Sequence, residues 1–257
     1  MSERSPRLFI GESWFIHSIH QKGFDSFQTS EYVEGAERFL TLMAELGHQM
    51  DYVPAHRIEN GMPTSAAELA KYGTVVISDV GANTFLLGSD TFSRSLVGPN
   101  RLNVLAEYVR AGGGLVMVGG YMSFAGIEGK ARYGSSPLQS VLPVAIQTGD
   151  DRSEHPEGSR PVVVTDHPIL KGVSPEWPCV LGYNQVHSKP GSQVVVECNG
   201  DPLLVVGTYG GGRCVAFMSD LAPHWAPPSF VEWSCYGRLW SNILDWASGT
   251  LVEHEER

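Results

Sequence analysis

LNVLAEYVRAGGGLVMVGG, residues 102–120, is the stretch that decides the fold. Leu102, Leu105, Ala106 and Val109 recur at helical spacing, so its first half reads as an amphipathic helix. Three glycines, 112–114, end that helix. The apolar run 114–120 follows at once and has the length and composition of a buried strand. A helix delivered through a tight turn into a buried strand is half of a βαβ unit. Strands so joined are parallel, with right-handed crossovers.

Working outward, RLFIG (7–11), QMDYVPA (49–55) and GTVVISDVG (73–81) read as further strands, Pro54 marking the end of the second. A helix is predicted over 29–47. Tyr32, Ala36, Phe39, Leu40, Met43 and Leu46 would form its face, with Ser30 as N-cap and Gly47 as stop. Residues 136–147 suggest a short helix or turn and then a strand. The polar stretch 148–161 reads as an exposed loop. Residues 193–220 carry turn signals at Asn199–Gly200 and at glycines 210–212, and so read as antiparallel strands on the edge of the parallel sheet. The last helix is predicted over 229–249, with Tyr236, Leu239, Trp240, Ile243, Leu244 and Ala247 facing the core. The fold class is α/β, and the domain expected is a single one over 1–257 with an elaboration at about 148–190.

The chain has 28 acidic and 18 basic side chains, a formal net charge of −10. That balance repels phosphate backbones and argues against nucleic-acid binding. The start lacks the basic and long apolar regions of a signal peptide, and no apolar run approaches the roughly 20 residues that cross a bilayer. A cytoplasmic location without membrane partners is expected. Cys179, Cys198, Cys214 and Cys235 form no CxxC pair, so they read as reduced packing residues. Neither GxGxxG nor a P-loop pattern occurs, and GTYGGGR (207–213) lies between strands; no cofactor is expected.

Ligands of open parallel sheets bind beyond the carboxyl ends of the strands. That rule selects Glu12 and Ser13 after the first strand, Asp79 after the third, and Tyr121 and Ser123 after the fourth. After the late strand CVAFMSD it selects Asp220, His224 and Trp225. Acids sharing one crevice need a proton, a cation or a polar ligand. Each has an ordinary alternative: Glu12 and Asp79 as caps, His224 as a turn residue. His17 and His20 would share a helical face and could bind a metal with Glu12, although solvated histidines are the preferred reading. No metal ligand set is assigned.

FIGESW, VVISDVGANTF, GGGLVMVGGYMSFAGIEGKARY, SPLQSVLPV, LGYNQ and FMSDLAPHW occur in order, and in them the chain resembles the glutamine amidotransferase-like family of bacterial cytoplasmic proteins. The resemblance implies a flavodoxin-like three-layer α/β/α sandwich, with a mostly parallel sheet and an antiparallel extension. It also implies a nucleophile elbow after the fourth strand, where a working class I amidotransferase carries Cys. Here that elbow is GGYMS, with Tyr121 or Met122 in the Cys position. Met218 stands where the His of the late strand would be, and Asp220 where the Glu would be. Without the thiol and the imidazole, glutamine hydrolysis is not expected.

The expected function is therefore binding or transformation of a small polar molecule, a sugar or amide derivative. Glu12, Asp79, Tyr121, Asp220 and His224 form the catalytic set, and Ser13, Ser123, Asn184 and Trp225 the ligand-binding set. Whether the chain is an enzyme stays open. The alternatives are a metal-dependent hydrolase using His17, His20, Glu12 and Asp79, and a non-catalytic homo-oligomeric scaffold with a Trp-rich interface around 225–240.

Overall fold

A computed structural model describes residues 4–251 of the chain. Residues 1–3, part of the stretch read for a signal peptide, lie outside the described residues. In chain order the strands are β1 (Arg7–Gly11), β2 (Ser13–Lys22), β3 (Asp25–Glu34), β4 (Met50–Val53), β5 (Thr74–Ser78), β6 (Gly114–Val118) and β7 (Val144–Ile146). Then come β8 (Arg152–Ser159), β9 (Pro161–Val163), β10 (Val180–Asn184), β11 (Val186–Ser188), β12 (Gln193–Cys198), β13 (Asp201–Tyr209) and β14 (Gly212–Phe217). The helices used below are α1 (Glu37–Glu45), α2 (Arg101–Arg110), α3 (Leu138–Val141), α4 (Pro228–Val231) and α5 (Tyr236–Ala247).

The central sheet has eight strands in the order β4-β1-β5-β6-β14-β13-β12-β9. The first five pair in parallel, and β13, β12 and β9 continue antiparallel. Numbered along the chain, the parallel strands run 2-1-3-4-5, the flavodoxin-like order. The expected sheet and its antiparallel extension are both present. The step from β1 to β4 goes one way across the sheet and the step from β5 to β6 the other. Right-handed crossovers therefore put α1 and α2 on opposite faces. β1, β5 and β6 are buried along their whole length, as strands covered on both faces must be. The apolar face predicted for the last helix is entirely buried.

Four expectations are corrected. The helix drawn over 29–47 begins only at Glu37. Residues 25–34 are β3, paired along their length with β2 in an antiparallel hairpin. Ser30 is a strand residue, and Tyr32 and Val33 alternate across the hairpin rather than along a helix. The hairpin closes on itself at its base, where the Gly35 N–H donates to the Glu12 carbonyl at 2.9 Å. The loop drawn over 148–161 contains β8, which pairs with β10, and Asp151 just before it is buried. The last helix is interrupted: α4 ends at Val231, and α5 starts at Tyr236. Finally, of the tryptophans in the region drawn as an interface, Trp225 and Trp240 are buried in the chain's own interior and Trp233 is partly exposed. Both predicted hairpin turns are present, Asn199–Gly200 with positive φ at both residues and Gly210–Gly211 between the paired Tyr209 and Gly212.

Candidate functional site

Register brings the parallel strands to a common edge. Gly11 lies beside Ser78, Ser78 beside Val118, and Val118 beside Phe217. The residues that follow leave the sheet side by side. Between β1 and β5 the connections diverge, which makes this the topological switch point of the sheet. Two acids leave there with left-handed backbones, Glu12 at φ 50° and Asp79 at φ 41°. Such strain in non-glycine residues concentrates at functional sites. Gly11 makes the first exit geometrically feasible: a Cβ on it would lie 2.0 Å from the Ser78 carbonyl oxygen.

Glu12 is fully buried. Its Oε2 accepts from Ser78 Oγ at 2.5 Å, and its Oε1 has no partner. Desolvation first, then the charges of Asp220 and Asp79, push its pKa well above the carboxylate range. Asp79 is half-buried, and its Oδ1 accepts from the Met122 N–H at 2.6 Å. Desolvation and the Asp220 charge push it up to about 6. Asp220 is fully buried. Its Oδ1 accepts from the Ala222 N–H at 3.0 Å, while Oδ2 has no hydrogen-bond donor and lies 3.4 Å from His224 Nδ1. The adjacent Asp220 carboxylate raises the His224 pKa. Ordinary capping therefore explains one oxygen of Asp79 and one of Asp220, and leaves Glu12 unexplained. Ligand atoms of Glu12, Asp220 and His224 lie within 4.8 Å of one another.

Around these groups stand aromatic rings. The Tyr121 ring lies 5.9 Å from that of His224 and 5.4 Å from that of Trp225, and the Trp14 ring lies 5.0 Å from that of His224. Burial raises the Tyr121 phenol, which therefore stays protonated at neutral pH. The segment after β6 is held by a buried network. The Gly120 N–H donates to Asn184 Oδ1, Asn184 Nδ2 donates to Asp151 Oδ1 at 2.8 Å, and Asp151 also accepts from the Ala125 and Gly126 N–H groups. Gly120 is required where it stands, at φ 143° with its missing Cβ only 2.6 Å from Asp79 Oδ1.

The expected sites thus divide. Glu12, Asp79, Asp220, His224, Tyr121 and Trp225 converge. Ser123 supports Asp79, accepting its N–H at 3.2 Å, and Asn184 supports the turn after β6. Ser13 instead accepts the Ala55 N–H at 2.8 Å, tying the chain beyond β1 to that beyond β4. His17 and His20 lie on a strand, three residues apart and so on opposite faces; their rings contact Ser30 Oγ and Thr29 Oγ1. The turn after β6 also differs from an elbow. Its positive φ angles fall at Gly120, Phe124 and Gly126 rather than at Tyr121 or Met122, and the chain runs on to a 3₁₀ turn at Ile127–Gly129 rather than into an α-helix. Sequence reasoning missed Trp14, Asp151, Arg152 and Glu154. The Arg152 guanidinium sits 4.7 Å over the Tyr121 ring, and Glu154 accepts from Trp225 Nε1 at 3.0 Å. A groove of about 450 Å³ lies away from this crevice, lined by Arg38, Leu42, Trp233 and Arg238 near α1 and α5.

Comparisons with known proteins agree with the architecture. Two cytoplasmic proteins of Salmonella typhimurium, one from strain LT2, are each 48% identical to the chain with a TM-score of 0.91. The alignments cover 94% of this chain and 98% and 99% of theirs. A ThuA-like protein of Parabacteroides merdae superposes at a TM-score of 0.58 with 14% identity, over 98% of this chain and 93% of its own, a likeness of fold alone. No curated protein gives a significant match. The family model described as "Putative glutamine amidotransferase" matches residues 7–249. Matched over that span, the chain belongs to the glutamine amidotransferase-like family.

Proposed function

We propose that the chain binds a small polar molecule, a sugar or amide derivative, in the crevice beyond β1, β5, β6 and β14, and transforms it by proton transfer in a hydrolase or lyase reaction. One observation carries this reading. Glu12, Asp220 and His224 meet at the switch point of the sheet with Asp79 near enough to feel their charge, and two of the buried carboxylate oxygens have no hydrogen-bond donor. A group whose pKa lies near the working pH transfers protons best, which favours Asp79 as base. His224, favoured in its charged form by Asp220, serves as acid or clamp, and the Tyr121 phenol as donor. The rings of Tyr121 and Trp14 supply flat walls suited to a hydroxylated ring. The likeness to two cytoplasmic proteins supports a cytoplasmic location.

We further propose that glutamine is not the substrate. The β6 turn offers Tyr121 and Met122 rather than a thiol. Cys198 bonds with Ser159 at 3.0 Å, Cys235 accepts the Ser174 N–H, and burial pushes the Cys214 thiol up to about 12. The test is a pair of measurements on purified protein. Glutamine should release no ammonia. In a thermal-shift panel of small sugars and amides, at least one compound should stabilise the wild type and lose its effect in Tyr121→Ala. Ammonia release would sink the second proposal. Shifts indifferent to Tyr121→Ala and Asp79→Asn would move the site elsewhere. Self-association is a second reading, favoured by the exposed Phe15, Ile16, Ile19, Phe24 and Phe27 of the β2–β3 hairpin. A monomeric mass by light scattering removes it.

A further inference from the structure

We infer that Glu12, Asp220 and His224 hold one divalent cation of the zinc or manganese type at the floor of the crevice. The inference deepens the reading of the crevice given above and rests on it, with His224 binding through its neutral imidazole in place of the acid role; metal occupancy can be measured without any substrate.

Geometry is the first support. One carboxylate oxygen of Glu12, one of Asp220 and one ring nitrogen of His224 lie within 4.8 Å of each other. With metal–ligand bonds of about 2.1 Å, neighbouring ligands of a tetrahedral site stand about 3.4 Å apart, and opposite ligands of an octahedral one about 4.2 Å. Asp220 Oδ2 and His224 Nδ1 already stand at 3.4 Å. The side chain of His224 is 38% exposed, on the turn after β14, so it has room to adjust toward the two buried carboxylates.

The second support is independent of that spacing. Both carboxylates are fully buried, and each is oriented by one oxygen and bare at the other. Ser78 Oγ fixes Glu12 Oε2, and the Ala222 N–H fixes Asp220 Oδ1. Glu12 Oε1 and Asp220 Oδ2 are left without a hydrogen-bond donor. A buried anionic oxygen without a donor is costly, and a cation satisfies two such oxygens at once. A ligand oriented by a hydrogen bond through its other oxygen is the usual outer support of a metal site. Two carboxylates balance a dication, and Asp79 beside them adds negative potential. Oxygen and imidazole donors without thiolate suit zinc or manganese. Three protein ligands leave a position open for water or substrate, the arrangement of reactive rather than structural sites.

The experiment uses chelator-treated full-length protein returned to chelator-free buffer near neutral pH. Calorimetric titration with zinc chloride and with manganese chloride reads stoichiometry and affinity, and manganese spin resonance gives a second readout. One equivalent should bind. Glu12→Gln and His224→Ala should each weaken binding by about tenfold or more. His17→Ala/His20→Ala should leave it unchanged. Glu12→Gln matches the shape of the protonated side chain and can still accept from Ser78 Oγ, so the variant should fold. Its unfolding curve, recorded alongside, confirms that lost binding is not lost structure. Absence of binding by either metal at about millimolar concentration would overturn the inference. So would binding that survives Glu12→Gln and His224→Ala. Either result, with the ligand shifts of the preceding section intact, leaves the crevice reading standing. Metal bound with no ligand shift defeats that reading and not this one.

Discussion

Replacing Asp79 by Asn should stabilise the metal-free protein, and only above the acid range. The unfolded Asp79 titrates near its ordinary value of about 3.9. In the folded chain it titrates at about 6, because burial and the Asp220 charge disfavour its ionised form. Between those two values the folded state holds a proton that the unfolded state has released. Stability therefore falls as pH rises through that window and then levels off. Each pH unit is worth about 1.4 kcal/mol, so the two-unit window corresponds to roughly 3 kcal/mol, or about 2 kcal/mol after discounting for the partly open side chain. Asn cannot ionise. Its Oδ1 can still accept the Met122 N–H, and it tolerates the left-handed backbone at φ 41°. The variant should match the wild type near pH 4 and melt about 4–8 °C higher near pH 8 for a chain of this size. Glu12, Asp220 and His224 face the same space, so some pH dependence will persist in the variant. Thermal unfolding followed by circular dichroism, in chelator across that range, gives the answer. If the two melting curves stay parallel from pH 4 to pH 8, the crowded-acid account is refuted.

At the opposite end of the sheet the fully buried Arg7 pairs with Asp245 at 2.7 Å. Asp245→Ala should cost about 3–5 kcal/mol in urea unfolding, and Arg7→Met/Asp245→Leu should recover most of it. Gly120→Ala forces a Cβ onto Asp79 at a positive φ and should cost about 2 kcal/mol or more, read as a lower urea midpoint with an unchanged slope. Cys198 and Cys214 are buried with raised thiol pKa values, so a disulfide reagent should leave both unmodified in native protein and react with all four cysteines in denaturant.

The parallel sheet was legible because its strands are continuous apolar runs ending in glycine or acid, and the rule of carboxyl ends then named Glu12, Asp79, Asp220 and His224 from 257 residues. What escaped has physical causes. Residues 29–47 carry apolar groups at helical spacing only when Tyr32 is counted with Phe39, and one tyrosine fits either period. Residues 14–34 are exposed on both faces of a hairpin, so burial imposes no alternation there. Residues 150–157 look solvated because Asp150, Arg152 and Glu154 pair with one another. Their neighbour Asp151 is buried by Asn184, 33 residues away, and no local pattern marks such a tie.

The hairpin leaves and re-enters the fold through one narrow doorway, since its two ends are stitched together between Gly35 and Glu12. Residues 15–32 beyond that stitch are exposed and contribute little to the interior, whereas Ser13 and Trp14 at its root belong to the crevice. The same stitch sits on the backbone of an acid in the crevice floor. Trp14, at the root of the arm, also faces His224, so the appendage and the cleft share a wall.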